Sequence, residues 1–198
     1  AAYLPFVKDA SAKEMKRREE EGGLLSNVQR IPEMPLDKLM VSTKANSSDI
    51  AVITIGRNAG EQHDRTVDND FYLGSDEIKM INTVADAFHA VNKRVIVILN
   101  IGGAIETASW KDKVDAILLA WQPGQEGGNS VADIISGKSN PSGKLTMTFP
   151  LDYNHHASAL NFPGVPANDP KEVFYEEDIY VGYRYFNTFE IMPSYEFG

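Results

Sequence analysis

At 198 residues the chain can bury one good core with some sequence to spare, and its hydrophobic share of 42% is that of an ordinary globular protein. A net charge near −9, with no stripe of Lys and Arg, argues against a nucleic-acid partner, and no apolar run reaches the roughly 18–20 residues needed to cross a bilayer. Zero cysteines exclude disulfides and thiolate metal sites without choosing a compartment.

In chain order, residues 1–47 read as a lead-in of mixed composition, punctuated by Pro32 and Pro35. The opening AAYLPFVKDAS has no basic region followed by an apolar one, so no signal peptide is expected there. Lys13–Glu21 (KEMKRREEE) mixes charges of both signs and predicts a solvated helix laced with short-range ion pairs. Asp49–Gly56 (DIAVITIG) predicts a buried strand, followed by a long polar loop from Arg57 to Gly74. Ser75 is placed to cap the next helix, with Asp76 and Glu77 in its first turn, where the helix dipole favours negative charge. Ile78, Ile81, Ala85 and Phe88 form its apolar stripe, supported by Val84 and Val91. Arg94–Ile101 (RVIVILNI) predicts a second buried strand, ended by Gly102-Gly103, and Trp110 closes a short helical connection.

The next stretch is the most informative. Val114–Trp121 is a continuous apolar run, the habit of a parallel strand covered on both faces. After Gln122-Pro123-Gly124, Val131, Ile134 and Ile135 mark one face of a short helix that Gly137 can end in a left-handed conformation. Pro141-Ser142-Gly143 then turns the chain into an expected strand, Lys144–Phe149. The alternation predicts an α/β fold, a mostly parallel sheet between helices, with strands over Ala51–Ile55, Arg94–Leu99, Ala116–Ala120 and Leu145–Thr148. Residues 151–170 read as loop. The aromatic block VFYEEDIYVGYRYF follows, and the density of Tyr175, Tyr180, Tyr183, Tyr185 and Phe186 favours core packing over a sugar platform.

Ligands meet such sheets at the carboxyl ends of the strands, which singles out the segment from Arg57 to Arg65 (RNAGEQHDR). It gathers Glu61, His63, Asp64 and Arg65 within five residues, and spacing alone allows no more than a surface loop stitched by an Asp64–Arg65 contact. The glycines of Gln122–Gly128 and Gly102-Gly103 fit neither phosphate-loop pattern and read as tight turns and close backbone approaches. His89 and His155-His156 lack metal-ligand spacing, so neither metal nor cofactor is expected.

Four blocks, in order, carry a resemblance. They are Gly60-Glu61-Gln62-His63-Asp64-Arg65; Val97-Ile98-Leu99-Asn100 with Gly102; Trp121–Glu126 running on to Asn140–Leu145 and Thr148-Phe149-Pro150; and Tyr175–Asp178 through Val181–Phe186. Over roughly residues 48–198 the chain resembles the C-terminal α/β sandwich domain of glycoside hydrolase family 3, the family of β-glucosidases and exo-acting relatives. The resemblance implies a retaining glycosidase with two carboxylates, acting on a β-glucoside or oligosaccharide. The nucleophilic aspartate would lie in a separate (β/α)-barrel, which at about 250 residues cannot fit in this chain. Glu61 matches the family's general acid/base; Asp64 and Arg65 match the same segment as loop scaffolding. Gln62 and His63 stand where many members have Gly and Tyr, which makes His63 a candidate contact on the leaving-group side. Residues 1–47 would be the lead-in from the barrel and 48–198 the sandwich domain, inactive by itself. A non-catalytic carbohydrate-binding or interaction module on the same fold is the alternative, and a nucleotide-binding domain a weaker one.

Overall fold

The computed structural model describes residues 3–22, 28–58 and 64–198, which fall into two compact units, one of residues up to 103 with 110–140, the other of 104–109 with 141–198. The first unit is built on a three-stranded parallel sheet in the order β1 (Ile50–Gly56), β2 (Arg94–Asn100), β3 (Ala116–Leu119). Its helices are α1 (Tyr3–Glu21), α2 (Lys38–Ser47), α3 (Ser75–His89) and α4 (Gly127–Ile135). The α/β class and these three strands stand as expected, as do α3 and α4. The mixed charges of Lys13–Glu21 form the expected helix, with Arg17 paired to both Glu14 and Glu21 and Lys13 to Asp9.

The core lies where α3 covers the sheet. Ile81, Val84, Ala85 and Phe88 on α3 are buried, as are Ile53 and Ile55 of β1 and Val95, Val97 and Leu99 of β2. The lead-in contributes too: Asp37 caps α2 by accepting the Met40 N–H, and Val41 and Ala45 are buried, α2 packing on α3.

Three local expectations need correction. β1 and the Val114–Trp121 run are not covered on both faces. β1 alternates buried and exposed, leaving Val52 45% exposed, and β3 is only half-buried, because these two strands are the edges of the sheet and α3 covers one face. Gly74 rather than Ser75 takes the cap position of α3, while Asp76 and Glu77 stand in its first turn as expected, the Glu77 carboxylate accepting the Gly74 N–H at 2.8 Å. Gly137 does adopt the left-handed conformation, φ 76°, just past α4.

In the second unit, Lys144–Phe149 is not a strand. Only Phe149 pairs, in an isolated antiparallel bridge to Tyr195, with N–H···O distances of 2.9 and 3.2 Å. Other hydrogen bonds of this unit link separate segments or short turns: Gly198 N–H donates to Leu145 O, Thr107 and Ser194 hydroxyls share a 2.7 Å hydrogen bond, and the buried Glu106 carboxylate accepts from Ser109 N–H and Oγ–H. The aromatic block also departs from expectation. Of its rings only Phe186, on α5 (Tyr183–Thr188), is buried, whereas Tyr175 is 80% exposed and Tyr183 stacks on Phe197 at the surface with centroids 4.7 Å apart. Exposure alone does not make these rings a sugar platform.

Candidate functional site

The parallel sheet delivers the ends of β1 and β2 to one side of the first unit, and the Arg57 backbone N–H extends their ladder by one bond to Asn100 O at 3.1 Å. From there the chain enters the polar loop. Glu61 and His63, with Ala59, Gly60 and Gln62, lie outside the described residues. The loop's beginning and its second half are defined, and charged side chains brace both.

The Arg57 guanidinium donates from Nε to Asp70 O at 2.7 Å, from Nη1 to Gly56 O at 2.7 Å, and as a fork to both Glu77 oxygens at 2.7 and 3.0 Å. This pair is almost fully enclosed, with 2% and 1% of the two side chains exposed. Arg65 donates from Nε and Nη2 to Asp70 Oδ1 at 3.0 and 2.7 Å. Arg65 thus pairs with a carboxylate five residues on, Asp70, and Asp64 is exposed on the wall of a cleft. Between them the backbone makes a tight excursion, Asn69 taking φ 61° while Phe71 and Tyr72 N–H groups reach back to Thr66 and Val67 carbonyls.

A polar cleft of about 440 Å³ opens here, its walls including Arg30, Asn58, Asp64, Arg65 and Asp68. Asn58 Nδ2–H donates to Val28 O at 2.8 Å, tying the residue after Arg57 to the lead-in. Below it a charged cluster continues. Arg30 donates to Asp76 Oδ1 at 2.6 Å, and the Glu33 N–H to Asp76 Oδ2 at 2.5 Å. Burial alone would raise the Asp76 carboxyl, but the Arg30 hydrogen bond and the Glu33 N–H outweigh it and hold it down to about 2. Glu33 itself is pushed up, first by burial and then by the negative charge of Glu77.

The glycine motifs have packing roles. A Cβ at Gly102 would sit 2.9 Å from Gln122 Nε2, and one at Gly103 would sit 2.8 Å from Arg65 Nη1, so these two positions admit side chains from neighbouring loops. A second cavity, about 550 Å³, lies beside Gly124, Gly127 and Gly128 at the start of α4, and none of its described lining residues is charged. His89 Nε2 pairs with Asp115 Oδ2 at 2.9 Å. Among the described residues no three His, Cys, Asp or Glu side chains cluster as a metal site, and no helix is long and apolar enough to cross a membrane. Sequence reading missed Arg57, Asp70 and Glu77; the available signal was an Arg at a strand end followed by an acidic residue in the next helix's first turn.

Residues 13–183 match the model of the glycosyl hydrolase family 3 C-terminal domain. The chain belongs to this family. It is 36% identical over 191 residues to beta-glucosidase A of Butyrivibrio fibrisolvens, covering 84% of this chain and 22% of that protein. It is 38% identical over 157 residues to thermostable beta-glucosidase B of Acetivibrio thermocellus, covering 78% and 19%. Among solved structures it resembles beta-glucosidase 3B of Thermotoga neapolitana in complex with glucose, with a TM-score of 0.85 and 47% identity over 98% of this chain and 27% of that one. This family 3 domain thus spans about a fifth of the curated relatives and about a quarter of the solved chain.

Proposed function

We propose that this family 3 domain supplies the general acid/base of a retaining β-glycosidase that hydrolyses terminal β-linked sugars, a β-glucoside first among them, and that Glu61 is that residue. The nucleophile would come from a (β/α)-barrel of the same enzyme, reached through residues 1–47, with 48–198 as the sandwich domain. In the first step the barrel's aspartate attacks the anomeric carbon while Glu61 gives its proton to the departing glycosidic oxygen. In the second, Glu61 takes a proton from water as the oxygen attacks the same carbon and the aspartate leaves. Before the first step the aspartate carboxylate, about 5 Å away in retaining enzymes, favours the protonated form of Glu61. Once the ester forms that charge is gone, and the same group becomes a base. The scheme calls for no metal or cofactor.

The observation that supports this reading is the bracing of the loop's described ends. The loop leaves the carboxyl end of β1 and is braced by Arg57 at its start and by the Arg65–Asp70 pair in its second half. A general acid must be held within a few tenths of an ångström of its target, and loop residues achieve that when rigid side chains support them. The names of the three relatives given above, each a beta-glucosidase, support the substrate class. His63 is assigned to the leaving-group side and Asp64 to the loop's outer wall.

The test uses the full-length enzyme. Glu61→Ala should slow substrates with poor leaving groups by several orders of magnitude and activated aryl glucosides much less in the first step, because these depart without a proton. Azide should restore turnover of the activated substrate and yield a β-glycosyl azide, since it needs no general base. His63→Ala should change KM more than kcat. Near-normal activity of Glu61→Ala on poor leaving groups would move the role to another residue, Asp64 first.

A further inference from the structure

We infer that Arg57 and Glu77 act as a positioning pair for the acid/base loop, a role that rests on the assignment of Glu61 given above. Arg57 is the first residue past β1, and its own backbone is locked into the β1–β2 ladder through Asn100 O. From that fixed point its guanidinium reaches three places. It bonds the last carbonyl of β1 at Gly56, the far end of the loop at Asp70 O, and the Glu77 carboxylate in the first turn of α3. Glu77 is fixed in turn by the Gly74 N–H at 2.8 Å. One side chain therefore ties Arg57 to Asp70 O and fastens both residues to α3 through Glu77.

The chemistry of the pair fits orientation better than stability. Moving two charges out of water is costly, and apolar side chains of similar volume often fill such sites as stably or more so. What they cannot do is hold the Asp70 carbonyl in a fixed direction. A lysine cannot either, since it offers a point charge without the planar fork. Neither group is placed at the reacting atoms in the scheme above, so both act through the loop they hold.

The experiment uses the full-length enzyme in two variants, Arg57→Lys and Arg57→Met/Glu77→Gln. The second removes both buried charges and keeps an acceptor for the Gly74 N–H. Each is measured for Tm and for kcat and KM on one poor-leaving-group glucoside and one activated aryl glucoside. Both variants should lose about 10- to 100-fold in kcat on the poor leaving group, the scale of small misplacements of a catalytic group, with much less loss on the activated one. KM should stay within about twofold. The double variant should recover most of the Tm lost by Arg57→Lys without recovering kcat. Combined with Glu61→Ala, neither change should slow the poor leaving group further. A double variant with wild-type leaving-group dependence, or losses that add fully to those of Glu61→Ala, would overturn the inference while leaving the acid/base assignment intact. Normal turnover of poor leaving groups by Glu61→Ala alone would instead remove the assignment and this role with it. Should the double variant fail to fold, the leaving-group split of Arg57→Lys decides the matter.

Discussion

Arg65 and Asp70 meet asymmetrically: two nitrogens of one guanidinium converge on a single carboxylate oxygen, Oδ1, at 3.0 and 2.7 Å. The third guanidinium nitrogen, Nη1, lies beside Gly103, where a Cβ would come within 2.8 Å of it and push it aside. The β1 and β2 loops are thus joined by one side chain. Because both partners are partly exposed, Asp70→Ala should cost only about 1 kcal/mol, read from urea unfolding midpoints. Gly103→Ala should displace the guanidinium and loosen the same junction; the two changes should be non-additive in a double-mutant cycle, because both act on the Arg65–Asp70 pair, although Asp70→Ala also removes a carboxylate 3.5 Å from Arg57 Nε.

The chain by itself should fold yet show no hydrolysis of aryl glucosides. A retaining mechanism needs a nucleophile to form the glycosyl ester, and that residue is assigned to a domain outside this sequence. Turnover by the purified 198-residue chain at the rate of an ordinary glycosidase would refute this division of labour.

Asp76 sets an acid limit on stability. Its carboxyl sits at about 2 in the fold against 3.8 in its absence, so the folded state binds its proton less readily than the unfolded state. Its contribution, about 2 kcal/mol, is complete above roughly pH 5 and is lost as pH falls towards 2. Glu33 acts in the opposite sense. Its folded pKa is raised, so its favourable contribution exists below the unfolded value and disappears as pH rises through the folded one. Melting curves between pH 2 and 7 should therefore show a shallower acid limb for Asp76→Asn and a gain at neutral pH for Glu33→Gln.

Asp115 links β3's approach to β2. Its Oδ2 accepts the Val95 N–H at 2.7 Å and also meets His89 Nε2 at 2.9 Å. These two contacts, the backbone N–H first, hold its carboxyl below the usual range. Asp115→Ala leaves the Val95 N–H without its partner and should cost about 1–3 kcal/mol; Asp115→Asn keeps an acceptor and should cost less. Thermal melts of the two variants distinguish them.

The legible parts of this fold were those written in local periodicity. The apolar runs of β1, β2 and β3 and the stripe Ile81, Ala85, Phe88 need nothing beyond their own windows. The illegible parts depend on distant partners. Leu145–Thr148 has strand-like composition, but only the neighbouring Phe149 finds an extended partner, 46 residues later at Tyr195. Asp76 and Glu77 read as ordinary dipole partners on a helix, and their guanidinium partners, Arg30 and Arg57, come from other segments. At the candidate site, the family motif pointed to Glu61, Asp64 and Arg65, with His63 a departure from it, and the scaffold that braces the loop's described ends pairs Arg65 with Asp70 and adds Arg57 and Glu77, which no motif marks.

The alternating exposure of β1 has a colloidal consequence. Among the described residues β1 has a strand neighbour on one side only, and Ile50 and Val52 on its open face are 39% and 45% exposed. An unpaired row of backbone donors beside exposed β-branched side chains is a template for strand addition from another molecule. The net charge of −9 opposes that encounter at low ionic strength, and salt shortens the range of the repulsion to about 10 Å at 0.1 M. The isolated domain should therefore scatter more light as salt is raised, and a lysine in place of Val52 should keep it dispersed.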